Sequence, residues 1–260
     1  MDFIKFLGTA GARFAVTRQI RKSGGIWISL DNTQILIDPG PGSLVRCLSS
    51  KPALNPQDLD AIILSHRHID HSNDINIMIE AMTNGGNKKK GMVFAPSDAL
   101  DDDPVVLHHF RDHVSKIVTL KEKGSYKVGS LSFSTPIRHI HDVETYGLVC
   151  HSDQCTISYI SDTKYFENLE NFYQSDVLIA NVVLRDPKDY INHLSIDDIE
   201  QIITQIKPAK TILTHFGLTM IREKPWEIAE MLSKKIGCDV IAASDGLQVV
   251  LDQKLCKTVR

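Results

Sequence analysis

"ILSHRHIDHSND", residues 63–74, packs three histidines and one aspartate into positions 66–71, at the end of the apolar run "AIIL". Imidazoles and carboxylates are costly to bury unless something pairs with them, so four in a cluster call for a shared role. His66 and His68 alternate as on an extended backbone and point to one side, whereas Asp70 and His71 stand where the chain turns into "SNDINIMIEAM", a run with the spacing of an amphipathic helix. One turn therefore aims two sets of side chains at two neighbouring points.

The same pattern recurs along the chain. Short β-branched runs bounded by turn residues ("IWISL", "QILIDPG", "AIILSH", "MVFAP", "TISYISD", "DVLIANVVL", "TILTHFG" and "VIAASDG") read as strands. Between them, "SIDDIEQIITQI" reads as a helix with Ser195 as its N-cap, and "KPWEIAEMLSKKI" as a helix stopped at Gly237. The sum is a layered α/β protein, two sheets packed together under outer helices. Asp38 follows "ILI", His66 follows "IILS", Asp162 follows "SYIS" and His215 follows "TILT". All four lie just past strand ends, where a rigid sheet holds side chains and loops leave room for a ligand.

Composition narrows the classes. The 260 residues fit one domain over 1–260, and 42% hydrophobic with 23% charged content is that of a soluble globular chain. A net charge of −3 supplies no basic field to hold a long polyanion. No charged leader precedes an apolar stretch, and the longest apolar run, "VLIANVVL", is too short to span a bilayer, so a cytoplasmic protein without membrane contact is expected. Five cysteines without a CxxC pair suggest neither a disulfide framework nor a thiolate metal site; they are expected to be reduced and buried. In the polar break "TNGGNKKKG", Lys88 to Lys90 read as a solvated turn before a substrate contact, and Asp101 to Asp103 before Pro104 read as a helix start.

Neutral imidazole and carboxylate are the ligands of borderline divalent ions, which gives the clustered residues a common purpose. "HRHIDH" matches the HxHxDH signature of the metallo-β-lactamase superfamily, and the accompanying pieces stand in that family's order: "LIDPG" with Asp38, a later histidine, "SDT" with Asp162 and "THFG" with His215. The resemblance runs from "FLGTAG" at residues 6–11 to the final strand. Within the superfamily the chain most resembles ribonuclease Z and related phosphodiesterases, because "NHLSIDD" supplies a further histidine, His193.

The resemblance implies an αβ/βα sandwich of two mixed sheets packed face to face, with helices outside. It implies two divalent ions, zinc first and manganese or iron as alternatives. His66, His68 and His141 would hold one, Asp70, His71 and His215 the other, and Asp162 would bridge both. His141 stands six residues before Gly147, the spacing of the family's third motif, with His139 as its competitor. Asp38 would steady the histidines from behind the ligands. Two ions about 3.5–4 Å apart can hold and activate one water as a bridging hydroxide for attack at phosphorus. Asp70 would orient that nucleophile and His193 would assist the leaving oxygen as a general acid.

Ribonuclease Z proteins usually carry a long basic arm that clamps transfer RNA, and the interval from Tyr165 to His193 is too short and too mixed in charge to be one. A small or cyclic nucleotide phosphodiester, or a short RNA end, is the expected substrate, and a homodimer is implied by kinship. The alternatives are a thioester or lactone hydrolase on the same scaffold and an iron-containing metallo-oxidoreductase, whose family members place a glutamate where His68 stands. His108, His109, His113 and His151 are assigned no role.

Overall fold

Strands satisfy their backbone groups only by pairing, and the β-branched runs of this chain pair into two sheets of seven strands each. The computed structural model describes residues 1–153, 155–252 and 255. The first sheet holds β1 (Phe3–Phe6), β2 (Ile26–Leu30), β3 (Thr33–Ile37), β4 (Ala61–Ile63), β5 (Met92–Ala95) and β6 (Lys116–Thr119). The second holds β7 (Gly124–Val128), β8 (Leu131–Thr135), β9 (Leu148–His151), β10 (Thr156–Ile160), β11 (Val177–Asn181), β12 (Lys210–Thr214) and β13 (Asp239–Ala242). The last strand, β14 (Gln248–Val250), returns to pair with β1 at the edge of the first sheet. The helices are α1 (Ala12–Thr17), α2 (Ser43–Ser49), α3 (Ile69–Ser72), α4 (Ile75–Met82), α5 (His108–Arg111), α6 (Ile196–Ile206), α7 (Leu218–Arg222) and α8 (Pro225–Ile236).

Both sheets are mixed. β14, β1, β2 and β3 pair antiparallel and β3 to β6 parallel. Likewise β7 to β10 pair antiparallel and β10 to β13 parallel. The inner faces meet in one core, with Ile4, Phe6, Ile63 and Phe94 from the first sheet against Phe133, Leu148, Ile157 and Ile179 from the second. The outer face of the first sheet (Trp27, Leu36, Ile62) is covered by Ile75, Met78, Ile79 and Met82 of α4. That of the second (Leu178, Ala180, Leu213) lies under Ile199, Ile202 and Ile203 of α6 and Ile228 and Leu232 of α8. The four layers are the metallo-β-lactamase αβ/βα sandwich that the sequence implies. Its parallel strands β3, β4, β10, β11 and β12 deliver Asp38, His66, Asp162, Asn181 and His215 at or just past their carboxyl ends.

The expected helices form for the expected reasons. Ser195 Oγ accepts from Asp198 N while the Asp198 carboxylate accepts from Ser195 N at 2.8 Å, a reciprocal cap on α6. α8 starts at Pro225 and ends at Gly237 with φ +75°.

Two expectations are corrected. Asp101 to Asp103 start no helix: they form bends, α5 begins only at His108, and Asp103 instead receives the Arg67 guanidinium at 2.9 Å. Cys155 is disulfide-bonded rather than reduced, whereas Cys47 and Cys150 are buried free thiols, each pushed by burial up to about 12. β1, β6, β7, β8, β9 and β14 lie outside the eight runs read as strands; β6, β7 and β8 are too polar to stand out. The Lys88 to Lys90 tract follows a turn as expected, with Lys88 and Lys89 exposed and Lys90 Nζ donating to Gln57 O at 2.5 Å. Among the described residues no helix is long and apolar enough to cross a membrane.

Phe94 packs edge-on against Phe133, with ring centroids 5.0 Å apart, at the middle of the inter-sheet core. Phe94→Ala is expected to cost about 3–5 kcal/mol, and Ser195→Ala, which removes only a cap, about 1 kcal/mol. Urea unfolding of the two variants checks the order; equal costs would mean that the inter-sheet layer is not the dominant core.

Candidate metal centre

The site begins with the turn after β3. Asp38 adopts φ +52°, and its buried carboxylate reaches across to the chain leaving β4. Oδ1 accepts from Ser65 N at 2.7 Å, and Oδ2 accepts from Ser65 Oγ at 2.7 Å, Tyr159 OH at 2.9 Å and His71 Nδ1 at 3.0 Å. The "DPG" turn then passes so close to the histidine cluster that a Cβ on Gly40 would lie 2.0 Å from Asp70 O. Only glycine fits there.

These bonds fix which ring nitrogen carries the proton. Asp38 takes the His71 Nδ1–H, so His71 Nε2 is a bare lone pair. Ser65 Oγ gives its proton to Asp38, so at 2.9 Å it accepts one from His66 Nδ1 and leaves His66 Nε2 bare. His141 Nδ1 donates to Asn192 O at 3.0 Å, and its free Nε2 stands 3.1 Å from His68 Nδ1. The Nε2 atoms of His66 and His71 are buried and have no hydrogen-bond partner. Such an atom costs about 1–3 kcal/mol when left unmatched, so two side by side, among further nitrogen and carboxylate donors, fit divalent cations.

Among the described residues the donor atoms fall into four overlapping groups, each within 4.8 Å: His66, His68 and His141; Asp70, His71 and His215; His66, His71 and Asp162; and His141, Asp162 and His193. One oxygen joins them. Asp162 Oδ2 lies 3.4 Å from Nε2 of both His71 and His215, 3.9 Å from His66 Nε2 and 3.6 Å from His193 Nδ1. Asp70 Oδ2 closes the second group at 3.6 Å from His215 Nε2 and 3.9 Å from His71 Nε2. All seven residues expected to bind metal, with Asp38 and His193, are therefore brought together. His139 is not among them, because its Nδ1 donates to Asp162 O at 3.2 Å and its Nε2 accepts from Tyr173 OH at 2.6 Å. His108, His109, His113 and His151 join none of the groups.

Electrostatics prepare the rings as ligands. Burial lowers the pKa of His66, His68 and His141, which favours the neutral imidazoles that bind metal, and lowers that of His193 against the opposing pull of Asp162. For His71, burial is outweighed by Asp162, Asp70 and Asp38, which raise it well above the ordinary range. The Asp162 carboxyl resists burial in the same way, held well below the usual carboxylate range by His215, His193 and His71.

Four participants carry no metal-ligand signature in the sequence: Ser65, Tyr159, Ser161 and Asn181. Asn181 Nδ2 donates to Asp162 Oδ1 at 2.8 Å and to Tyr159 OH at 3.1 Å, while Ser161 Oγ donates to Ser65 Oγ at 2.7 Å. The available signal was positional, since Asn181 ends the apolar "DVLIAN" as the ligands end their own runs. The centre opens into a cavity of about 630 Å3 lined in part by His68, Asp70, His141, Asp162 and His193.

A buried cluster of imidazoles and carboxylates at the strand ends of an αβ/βα sandwich defines a metallo-β-lactamase-fold protein. Residues 33–216 match the family described as "Beta-lactamase superfamily domain", and the chain belongs to that superfamily. Among relatives, the uncharacterized protein MJ1374 of Methanocaldococcus jannaschii is 30% identical over 259 residues, covering 95% of this chain and 94% of its own. Among solved structures, the metallo-β-lactamase fold protein YhfI of Bacillus subtilis superposes with a TM-score of 0.80 at 18% identity, over 95% of this chain and 98% of that one. A diphosphatase of the PhnP family gives 0.70 at 18% identity, over 96% and 97%. Human tRNase Z, short form, gives 0.70 at 15%, over 96% and 99%.

Two outcomes follow from the hydrogen bonds behind the ligands. Asn181→Leu leaves Asp162 Oδ1 without its donor and is expected to weaken metal retention about 10–100-fold, read by competition with a chromogenic chelator; unchanged retention would separate Asn181 from the centre. His139 is pushed by burial down to about 4, so folded chains refuse a proton that unfolded chains take up near 6.5. Its contribution is present above about pH 6.5 and is lost as pH falls towards 4, on the order of 3 kcal/mol in all. The stability gap between wild type and His139→Gln, from urea unfolding of metal-free protein, should narrow from pH 7 to pH 5.

Proposed function

We propose that this protein is a metal-dependent phosphodiesterase whose single domain, residues 1–260, holds two divalent ions, zinc first, with manganese or iron accepted by the same nitrogen and oxygen donors. In this reading His66, His68 and His141 hold one ion, Asp70, His71 and His215 the other, and Asp162 touches both. The carrying observation is that Asp162 Oδ2 faces imidazoles of both groups while its second oxygen is held by Asn181. When bound, such a pair of ions supplies an activated water near neutral pH and positive charge for the phosphoryl oxygens.

The chain's own groups divide the remaining work. Asp70 is partly exposed to the cavity, where its carboxylate can accept a proton from the attacking water and aim the water's lone pair at phosphorus. A P–O bond forms to that water as the opposite P–O bond breaks. His193 lines the same cavity, its Nδ1 3.6 Å from Asp162 Oδ2, whose charge favours the protonated ring against burial, and as an imidazolium it gives the departing oxygen a proton. A small or cyclic nucleotide diester, or an RNA end, is the substrate class in keeping with this site. The similarity to a diphosphatase and to a tRNase Z supports chemistry at phosphorus over thioester or lactone hydrolysis.

Chelation should abolish hydrolysis of bis(p-nitrophenyl) phosphate and of cyclic nucleotides, and zinc or manganese should restore it. Hydrolysis of thioesters or lactones without any phosphodiester turnover would overturn the proposal. His193→Ala is expected to lower turnover about 10²–10⁴-fold for diesters with alkyl leaving groups, and far less for p-nitrophenyl leaving groups, which need no proton. Metal content should stay at the wild-type level; a drop in bound metal would instead make His193 a ligand.

A further inference from the structure

Resting on that reading, we infer that the substrate is a small phosphodiester carrying a planar aromatic ring, and that Phe14 and Tyr190 hold the ring. Both line the cavity, and both are left open to solvent, Phe14 at 58% and Tyr190 at 82% exposure. Large apolar side chains standing in water beside reactive groups lose nothing by meeting a ligand and gain its buried area. Val16, Leu184 and Leu218 continue the same wall, and Ile69, beside the Asp70 ligand position, is 70% exposed.

The two rings are tied to opposite halves of the centre. Phe14 rides on α1, whose first amide, Ala12 N, points to His215 Nε2 at 3.4 Å. Tyr190 sits on the segment whose Asn192 carbonyl orients His141 and which continues into His193. Lys164 Nζ donates to Asp189 O at 2.8 Å and pins that segment next to the tyrosine. The cavity that both rings line is thus the one into which ligands of both groups, His68, Asp70, His141 and Asp162, open.

Charge and size exclude a long strand. Arg13 is the only Lys or Arg among the cavity-lining residues, which also include Asp70, Asp142 and Asp162. Arg18 stands over the Phe14 ring with its guanidinium carbon 5.8 Å from the centroid and adds one further cation at the rim. A polynucleotide is held by a track of cations, one for each phosphate contacted. One or two cations suit a single phosphodiester, and about 630 Å3 suits a ligand of nucleotide size. The ring is either a nucleobase or an aryl group, because stacking on Phe and Tyr recognises the π face that both share.

The test compares three five-membered cyclic diesters with the same reacting ring, using zinc-loaded protein: 1,2-cyclic glycerol phosphate, the cyclic phosphate of 1-phenylethane-1,2-diol, and 2′,3′-cyclic cytidine monophosphate. The ring-bearing esters should have kcat/KM about tenfold or more above the glycerol ester. Phe14→Ala and Tyr190→Ala should each pull that ratio down towards one, mainly through KM. Preference for the phenyl and cytidine esters alike marks an aryl-accepting site, and preference for cytidine alone marks a nucleobase site. A glycerol ester turned over as well as the others, a ratio untouched by both variants, or a uridine decamer cleaved faster than the cyclic nucleotide would overturn the inference while leaving the phosphodiesterase reading standing. Turnover of none of the diesters would overturn both.

Discussion

A carboxylate that is 3% exposed keeps its charge only if positive charge or hydrogen-bond donors surround it, and the whole site is organised around meeting that demand at Asp162. Four imidazoles approach its Oδ2, and an amide grips its Oδ1. Those four rings come from the turn after β4, from α3, from the segment before α6 and from the turn after β12. No local stretch of chain can supply them, so the packing of the two sheets must bring them together.

The grip extends behind the ligands. Asn181 Nδ2 donates to both Asp162 Oδ1 and Tyr159 OH, and Tyr159 OH donates to Asp38 Oδ2, where His71 and Ser65 also donate. Every hydrogen in this belt has one acceptor, and its direction leaves bare nitrogens on His66 and His71 facing inward. Asp38 directly follows β3 of the first sheet, while Tyr159 and Asn181 belong to strands of the second. The bonds that select the imidazole tautomers are thus also bonds between the sheets, which makes the rigidity of the sandwich a condition for ligand geometry.

Much of this was readable in the residues. The eight β-branched runs became strands; seven pair parallel to a neighbour, where apolar side chains are needed on both faces, and β2, antiparallel to both its neighbours, is buried on both faces as well. β7 and β8, with one face wet, alternate polar and apolar too weakly to register. The HxHxDH cluster and the strand-end aspartates announced themselves because charged groups at the ends of apolar runs are rare. Asn181, Tyr159 and Ser65 did not, because amides and hydroxyls occur everywhere and acquire meaning only through partners distant in sequence. His139 and His141 are equally histidine in the sequence; only the Tyr173 hydroxyl and the Asn192 carbonyl tell the structural ring from the inward-facing one. Asp101 to Asp103 carried the right residues for a helix start, but Val105 N and Val106 N turn back to Ala99 O, and the helix waits until His108.

Part of the backbone strain falls where side chains must be aimed, while Gln19, Lys123, Lys207 and Lys224 carry positive φ away from the centre. Asp31 and Asn32 have positive φ because they form the tight turn joining β2 to β3, a place where asparagine and aspartate tolerate it. Ala12, Asp38 and His215 have φ of +60°, +52° and +59° without that excuse, and all three stand at the centre. A left-handed residue directly after a strand turns the chain sharply, so that the next residues leave the sheet while the side chain stays over its end. The penalty is on the order of 1–3 kcal/mol at each such residue, and it persists because the surroundings allow nothing else. At His215 a Cβ on Gly11 would lie 2.1 Å from the carbonyl oxygen, so a glycine opposite is what lets the strained turn close. Asp38 is locked by the donors it collects, and Ala12 by the turn that leads α1 to the cavity. Strain at these three positions, with glycine facing two of the turns, is the local cost of placing rigid donors around one buried oxygen.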